Sequence, residues 1–363
     1  MGYVAVQGGV TAIENSQKLN SYLRLKGASA PLQVSQIMEQ MGPLVDRVMS
    51  EGGLFSPFHA ALAVKQASGD PIEAAFLLRA YRSTLRRLVD SIPVHTEEMR
   101  ILRRISSAFK TIPGGQVLGS TSDHEQRILD FSLAEETTET QQRAVSEFEA
   151  GLEDVHDPLE PIHFRKVVEM LRDQGLVPPV PPSPSGEPTD ITQESATFPL
   201  ERSGRLQMLA RAETGGVLAL AYSSMRGYGS IHPTVGELRV GRVSVQIPHP
   251  WRKASALTLG SVSITEVEIV ASVQPAEDEA RPTFTLGYGA CFGHNEVKAI
   301  SLGVLDRAMR SPSPHAPAED QEFVLLHTDG VESSGFCSHF KLPHYVTFQA
   351  DLDRLRTQRA GEE

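Results

Sequence analysis

The chain has little cysteine, no long apolar run and no surplus of positive charge, and each shortage removes a class of function. Two cysteines, Cys291 and Cys337, occur in 363 residues, too few for a disulfide framework, and a reducing cytoplasm is the expected location. There is no Cys-x-x-Cys, so this chain alone is not expected to hold an iron–sulfur cluster. The longest apolar runs, such as residues 217–222, fall far short of a membrane span. The N-terminus shows no basic stretch leading into an apolar core, so no secretory signal is expected. Val6 stands where a myristoylation signal after Gly2 wants Ser or Thr. A formal net charge of −11 argues against a duplex nucleic-acid binder, which needs a broad cationic face. His-Glu-x-x-His is absent. The run Ile112-Pro113-Gly114-Gly115-Gln116-Val117-Leu118-Gly119-Ser120-Thr121 lacks the lysine of a Walker phosphate loop. Its glycines either bring backbone N–H groups to an oxyanion or make turns.

What remains is the composition of a globular protein, 40% hydrophobic and 22% charged, long enough for one large domain or two ordinary ones. The expected fold class is α/β (α+β). A mainly helical N-terminal part covers residues 1–135, a variable acidic and proline-rich connector with one helix covers 136–200, and an α+β C-terminal domain covers 201–363. A short strand is predicted over 3–7, then helices over 13–25, 34–50 and 56–67. Asp70-Pro71-Ile72-Glu73 is a strong helix start, with Asp70 as cap and Pro71 at the first helical position. That helix is predicted to run to about Val89, with Leu77, Leu78, Tyr81, Leu85 and Leu88 as its apolar stripe and Arg79, Arg82 and Arg86 on another face. A further helix over 96–109 carries Arg100, Arg103 and Arg104. Two arginine-bearing helices make either an anion site or a face paired with solvent and acids.

After an acidic stretch from Glu135, a helix over 163–174 turns Phe164, Val167, Val168 and Leu171 inward. Residues 177–188 are proline-rich and read as a stiff exposed connector that tolerates trimming. Beyond it come a helix over 204–211, an apolar element of open type over 217–224, and a strand over 236–247 whose parity switches at Gly241-Arg242 as a bulge would make it. A strand over 262–270 switches near Glu266, and another strand covers 283–288. A helix over 295–310 turns Val297, Ile300, Val304 and Ala308 inward; 322–327 is strand or helix, and a charged helix covers 348–359.

Several stretches carry residues fit for chemistry. Arg226-Gly227-Tyr228-Gly229-Ser230-Ile231-His232, ending in Glu237, could stack a ring on a base or sugar and hold a phosphate, or be a turn before a strand. Gly287–His294 has the same ingredients, with Cys291 read as a small buried residue. Lys65 sits beside the helix N-terminus at Asp70, a place that favours anions unless Asp70 only caps it. Gly335-Phe336-Cys337-Ser338-His339-Phe340-Lys341-Leu342-Pro343-His344-Tyr345 puts two imidazoles around a loop, a spacing that suits one zinc or two ordinary polar histidines.

The run HTDGVESSGFCSHFKLPHYVTFQ, with YVAVQGG, DRVMSEGG, KQASGDPIEAAFLLRAYRSTL, IPGGQVLG, RGYGSIHPTVGELRVG and GYGACFGHNEVKAI, resembles the PhnI family, subunit I of the bacterial carbon–phosphorus lyase core complex. These blocks run the length of the chain in family order. The region from about Glu136 to Pro199 carries none of the pattern. The resemblance implies a subunit of phosphonate breakdown. With subunits G and H and the ATPase-like L (K being a further ATPase-like partner), it would displace adenine from MgATP by an alkylphosphonate, giving α-D-ribose 1-alkylphosphonate 5-triphosphate. Alone it would act as a nucleosidase on ATP or GTP. It would sit in a core with two copies of each subunit, beside subunit J, which cleaves the C–P bond. In that family the two histidines of the His-x4-His stretch are zinc ligands, which transfer to His339 and His344. For the charge of triphosphate and phosphonate this sequence offers Lys65, Arg79, Arg82 and Arg226, with Tyr228 for stacking. For acid–base work it offers Glu237, His232 and Asp70. The alternative is a non-catalytic subunit that holds zinc and assembles its partners.

Overall fold

A computed structural model describes residues 9–152, 164–180, 188–226, 233–252, 255–274, 283–311, 313–342 and 345–361. The strand expected over 3–7 lies outside them. The first helices are α1 (Val10–Leu25), α2 (Val34–Gln40), α3 (Gly42–Gly52), α4 (Pro57–Gln66) and α5 (Pro71–Thr84). The one helix expected over 34–50 is two. It breaks at Met41 (φ −118°, ψ 39°), because Pro43 has no N–H to give and belongs at a helix start. α2 to α5 close on a core that includes Ile37, Val48, Met49, Ala60, Ala61 and Leu78. α5 starts where the sequence placed it: Asp70 accepts from the amides of Ile72 and Glu73, both at 2.9 Å. It stops earlier than expected, since Leu85 is already extended (ψ 136°). Its inward face is Ala74, Ala75 and Leu78, whereas Leu85 and Leu88 are 46% and 84% exposed.

The helix expected over 96–109 is instead a short turn followed by β1 (Arg100–Ile105). The reason is tertiary: β1 pairs antiparallel with β2 (Thr234–Pro248), matching Arg104 to Arg239 and Ile105 to Leu238. α6 (Thr138–Ala150), which was not anticipated, α7 (Val167–Asp173), α8 (Arg202–Arg211) and α9 (Thr214–Met225) lie between them in sequence. Phe164, Val167, Val168 and Leu171 are all buried, as expected. β3 (Ala256–Gln274) and β4 (Thr283–Phe292) complete a sheet in the order β1-β2-β3-β4. A strand from the expected N-terminal part is thus built into the sheet of the C-terminal part.

A register shift does lie beside Gly241, but the extra residue is Leu102 on β1, opposite Gly241 and Val240, and near Glu266 there is none. Register between β2 and β3 is regular through Gly241↔Ile264 and Arg239↔Glu266; its shifts lie at Val235/Glu237 and Val245/Gln246, and β1 has one between Ile101 and Arg103. Both faces of the sheet are covered, so buried residues occur at both parities. One face, with Leu238, Val240, Val267, Ile269 and Cys291, packs on α9 and α10 (Glu296–Ala308). Gly287 and Gly289 allow this approach. A Cβ on either would collide with an α10 carbonyl, that of Gly303 or of Ala299. α10 is enclosed on most sides, so Val297, expected inside, is 49% exposed while Lys298, Leu302 and Leu305 are buried. Lys298 Nζ donates to Ser50 Oγ (2.7 Å) and the Ala210 carbonyl (2.8 Å), tying α10 to α3 and α8; burial lowers its pKa.

The segment 322–327 is helical, as α11 (Gln321–His327), followed by α12 (Gly330–His339) and α13 (Tyr345–Ala360). The connector is docked where it begins: Val177 is 3% exposed, and the Leu176 carbonyl accepts from the Phe284 amide at 2.8 Å. Residues 181–187 lie outside the described residues. Among the described residues no helix is long and apolar enough to cross a membrane.

Candidate functional site

The second face of the sheet is charged. Arg104, Glu237, Arg239, Glu266, Glu268 and Tyr288 share it, as their cross-strand pairing requires. Arg104 is fully buried. Its Nε donates to Glu237, and its other nitrogens donate to the carbonyls of Pro113 (2.7 Å), Gly115 (2.9 Å) and Arg165 (2.8 Å), with the Phe164 ring 5.0 Å away. The glycine-rich loop therefore turns two of its carbonyls toward an arginine. Glu237 is 1% exposed and also accepts from the Val167 amide at 3.0 Å. In the structure it is the anchor of Arg104. Lys166 reaches Glu266 at 3.2 Å and Glu268 at 3.7 Å.

The other residues singled out in the sequence fall in separate places. The α5 amides that could have held an anion are taken by Asp70 itself, so Asp70 caps. Lys65, near the end of α4, lines a cleft facing the end of α1. Arg79 donates to Asp329 (2.7 Å) and to the Glu51 carbonyl (2.8 Å). Asp329 in turn caps α12 through the amides of Val331 and Glu332. Arg79 is therefore a clamp between α3, α5 and α12. Arg79→Gln is expected to lower stability by about 1–3 kcal/mol by stripping Asp329 of its charged partner, read from urea unfolding; an unchanged midpoint would return Arg79 to ligand binding. Arg82 donates to the Gly53 carbonyl at 3.4 Å. Its pKa is lowered by burial and by Arg79 and Arg87, and that of Arg211 is pushed down to about 10 by burial with Arg79 and Arg82 nearby. Arg226 is exposed at the end of α9. Tyr228 and His232 lie outside the described residues. His339 ends α12, Cys337 is exposed on the same helix, and His344 lies outside the described residues. Among the described residues no group of three or more His, Cys, Asp or Glu could hold a metal. Cys291 is buried, and burial pushes its thiol up to about 11, so it is not a nucleophile at neutral pH.

One site was missed. Where the charged face of the sheet ends, a cleft of about 430 Å³ opens between α7, α8, β4 and the end of α10. Arg172, Arg202, Arg307 and Arg310 line it together with Glu268 and Tyr288. Buried Asp306 accepts from Arg202 at 2.7 and 3.1 Å, lies 3.6 Å from Arg310, and accepts from the Tyr288 amide at 2.9 Å. Arg307 donates to Thr285 Oγ1 at 3.2 Å and Arg172 to the Pro178 carbonyl at 3.4 Å. Among the described residues neither has a carboxylate within ion-pair distance, although Glu319 acts on Arg307 from further off. The Tyr288 hydroxyl donates to Glu266 at 3.0 Å. Glu268 Oε2 is buried with no hydrogen-bond partner, and burial pushes its carboxyl up to about 7, against the pull of Lys166. A carboxyl raised on folding stabilises the fold fully below its unfolded pKa of 4.5 and loses that contribution as pH rises through about 7. Stability is therefore expected to fall over this window, and Glu268→Gln to flatten the slope when unfolding is followed against pH. The one sequence signal was Glu266 and Glu268, two acids on one parity inside a run of valine and isoleucine.

The frame is thus a mixed α/β protein, helical first, with an antiparallel sheet charged on one buried face and a cationic cleft at its edge. The family model described as Bacterial phosphonate metabolism protein (PhnI) matches residues 2–362. The chain is similar to HtxH of Stutzerimonas stutzeri, provisionally named a C-P lyase subunit protein, at 53% identity, covering 98% of this chain and 96% of that one. It is 45% identical to the alpha-D-ribose 1-methylphosphonate 5-triphosphate synthase subunit PhnI of Escherichia coli K12, covering 98% and 97%, and 44% identical to the subunit of the same name from Rhizobium meliloti 1021, covering 98% and 95%. The chain belongs to the PhnI family of bacterial phosphonate metabolism.

Proposed function

We propose that the chain is a working subunit of a carbon–phosphorus lyase core complex. With subunits G, H and L it displaces adenine from MgATP by an alkylphosphonate, and alone it removes the base from ATP or GTP with water. The observation that carries this reading is similarity over almost the whole chain to two proteins named as subunits of a ribose 1-methylphosphonate 5-triphosphate synthase. The chemistry sets the parts. A β-nucleotide becomes an α-product, so the nucleophile enters opposite the base. The ribose passes through oxocarbenium character, and the purine leaves with a proton or a strong hydrogen bond. In this reading Arg226, Tyr228 and His232 belong to a loop that works beside the bound nucleotide. The test is adenine release from MgATP by the purified chain, then formation of the α-ribose 1-methylphosphonate 5-triphosphate, seen by phosphorus NMR, when the partner subunits and methylphosphonate are added. A chain and a reconstituted complex that both leave ATP intact would overturn it.

The same reading gives His339 and His344 to zinc. A zinc there would serve the complex as a Lewis acid or as an assembly joint. Two imidazoles half-fill a tetrahedral shell, so a neighbouring subunit or water supplies the rest. His339→Ala or His344→Ala is expected to release the metal from the assembled complex and stop C–P cleavage while adenine release survives. Metal analysis and product assays check this, and full zinc occupancy after both changes would refute the site. A second reading, a zinc-holding scaffold, draws on the exposed rings of Phe336, Phe340 and Phe348 (66%, 64% and 63%) around the histidine stretch. It predicts that the chain is needed for assembly and that adenine release belongs to another subunit.

A further inference from the structure

The reaction proposed above needs a place for a highly charged ligand, and of the described residues that the sequence offered for it Arg79 is committed elsewhere while Lys65 and Arg226 stand apart. The cleft at the sheet edge is different. Four guanidinium groups from α7, α8 and the end of α10 face Asp306 and Glu268, with Glu319 acting on Arg307 from further off, among the described residues of a chain whose net charge is −11. Asp306 is saturated by Arg202, Arg310 and the Tyr288 amide. Arg307 is 8% exposed, and among the described residues no carboxylate lies within ion-pair distance of it, Glu319 acting from further off. The positive charge is thus left over inside a concave site, where attraction to an anion is screened less than at an open surface. The remaining wall, Val168, Pro178, Pro179, Val180 and Leu286, is apolar. The volume, about 430 Å³, falls in the range of small-molecule sites.

We propose that this cleft binds a nucleoside triphosphate, its polyphosphate chain against Arg172, Arg307 and Arg310 and its base and sugar against the apolar wall beside Leu286, with Glu268 Oε2 facing the ligand. Guanidinium forks match phosphate oxygens in geometry as well as charge. Glu268 is enclosed by Lys166 from the α7 side, Glu266 on its own strand, Glu237 and Arg239 on β2, and Tyr288 on β4. In this setting it is protonated over part of the neutral range, so it meets the anion as a hydrogen-bond donor. Ionised, it would repel the phosphate. The choice of a nucleotide rests on the proposed reaction; the anion site rests on the geometry alone.

Calorimetric titration of the full chain with tripolyphosphate and with ATP separates the two. Arg172 and Arg307 are the residues to change, because losing them leaves no buried carboxylate unpaired. Arg172→Gln and Arg307→Gln are each expected to weaken tripolyphosphate binding about tenfold, as loss of a charge-assisted contact does, with melting temperature held. Arg143→Gln, on the exposed α6, is expected to change nothing. Affinity that is unchanged in both arginine variants would overturn the site. Should Arg307→Gln fail to fold, the half-buried Arg172→Gln still decides. ATP is expected to bind more tightly than tripolyphosphate, and equal affinity would remove the apolar wall from the site. From about pH 6 to about pH 8 the wild type is expected to lose affinity relative to Glu268→Gln. Parallel pH profiles would remove Glu268. Binding that passes these tests in a chain and complex that never release adenine would leave the site standing and sink the reaction.

Discussion

Gly289→Ala is expected to abolish the native fold, although alanine is the gentler residue in a strand. Glycine weakens strands, so on local grounds the change would be neutral or helpful. The obstacle is α10. The new Cβ would strike the Ala299 carbonyl and come 2.7 Å from the Gly303 amide nitrogen and 2.8 Å from Leu302 Cβ. Two of these atoms are backbone and cannot rotate away. Ordinary overpacking costs about 1–3 kcal/mol, and a clash that must lift a whole helix is expected at or above the top of that range. α10 carries Leu302, Leu305 and Lys298 into three neighbouring elements, so lifting it loosens them all. Urea unfolding of soluble protein, or its absence from the soluble fraction, is the measurement. A loss below about 1 kcal/mol would show that helix and sheet do not meet this closely.

The second large effect is expected at Arg104 and Glu237. Arg104→Met leaves the Glu237 carboxyl buried without its partner and strips three carbonyls of their donors. Breaking one side of such a pair costs about 3–5 kcal/mol. Replacing both by apolar residues of similar size is expected to cost less than the sum of the single changes, because neither charge is then stranded. Denaturant unfolding of the two single variants and the double variant gives the coupling. Glu237→Gln decides between anchor and acid. An anchor loses stability; a group that works on the substrate would keep stability and lose adenine release.

The sequence was readable where the signal was local. The cap at Asp70 with Pro71 behind it, and the inward side of α7, needed only neighbours a few residues away. β1 was misread because Ile101, Leu102 and Ile105 beside three arginines fit a helix as well as a strand; what decides is β2, far along the chain. Glu237 stood inside a recognisable block and looked like chemistry. Its burial shows that a charged residue can be demanded by a partner's guanidinium as well as by a substrate. The arginines of the cleft gave no local signal, because Arg172, Arg202 and the pair Arg307 and Arg310 come from separate parts of the chain and are joined only by the fold. The sheet itself was legible as strands but not as a two-sided layer, since alternation fails when both faces are covered.

β1 has consequences for how the chain is made. Its sheet neighbour is β2, and roughly 130 residues separate Arg104 from the Arg239 it faces. At a synthesis rate of about 5–20 residues per second, β1 waits on the order of ten seconds on the ribosome before its partner exists. α2 to α5 need not wait, because most of their core comes from within residues 34–78. The nascent protein is therefore expected to carry a finished helical head and an unpaired strand edge, the part of the chain most in need of a chaperone until β2 arrives.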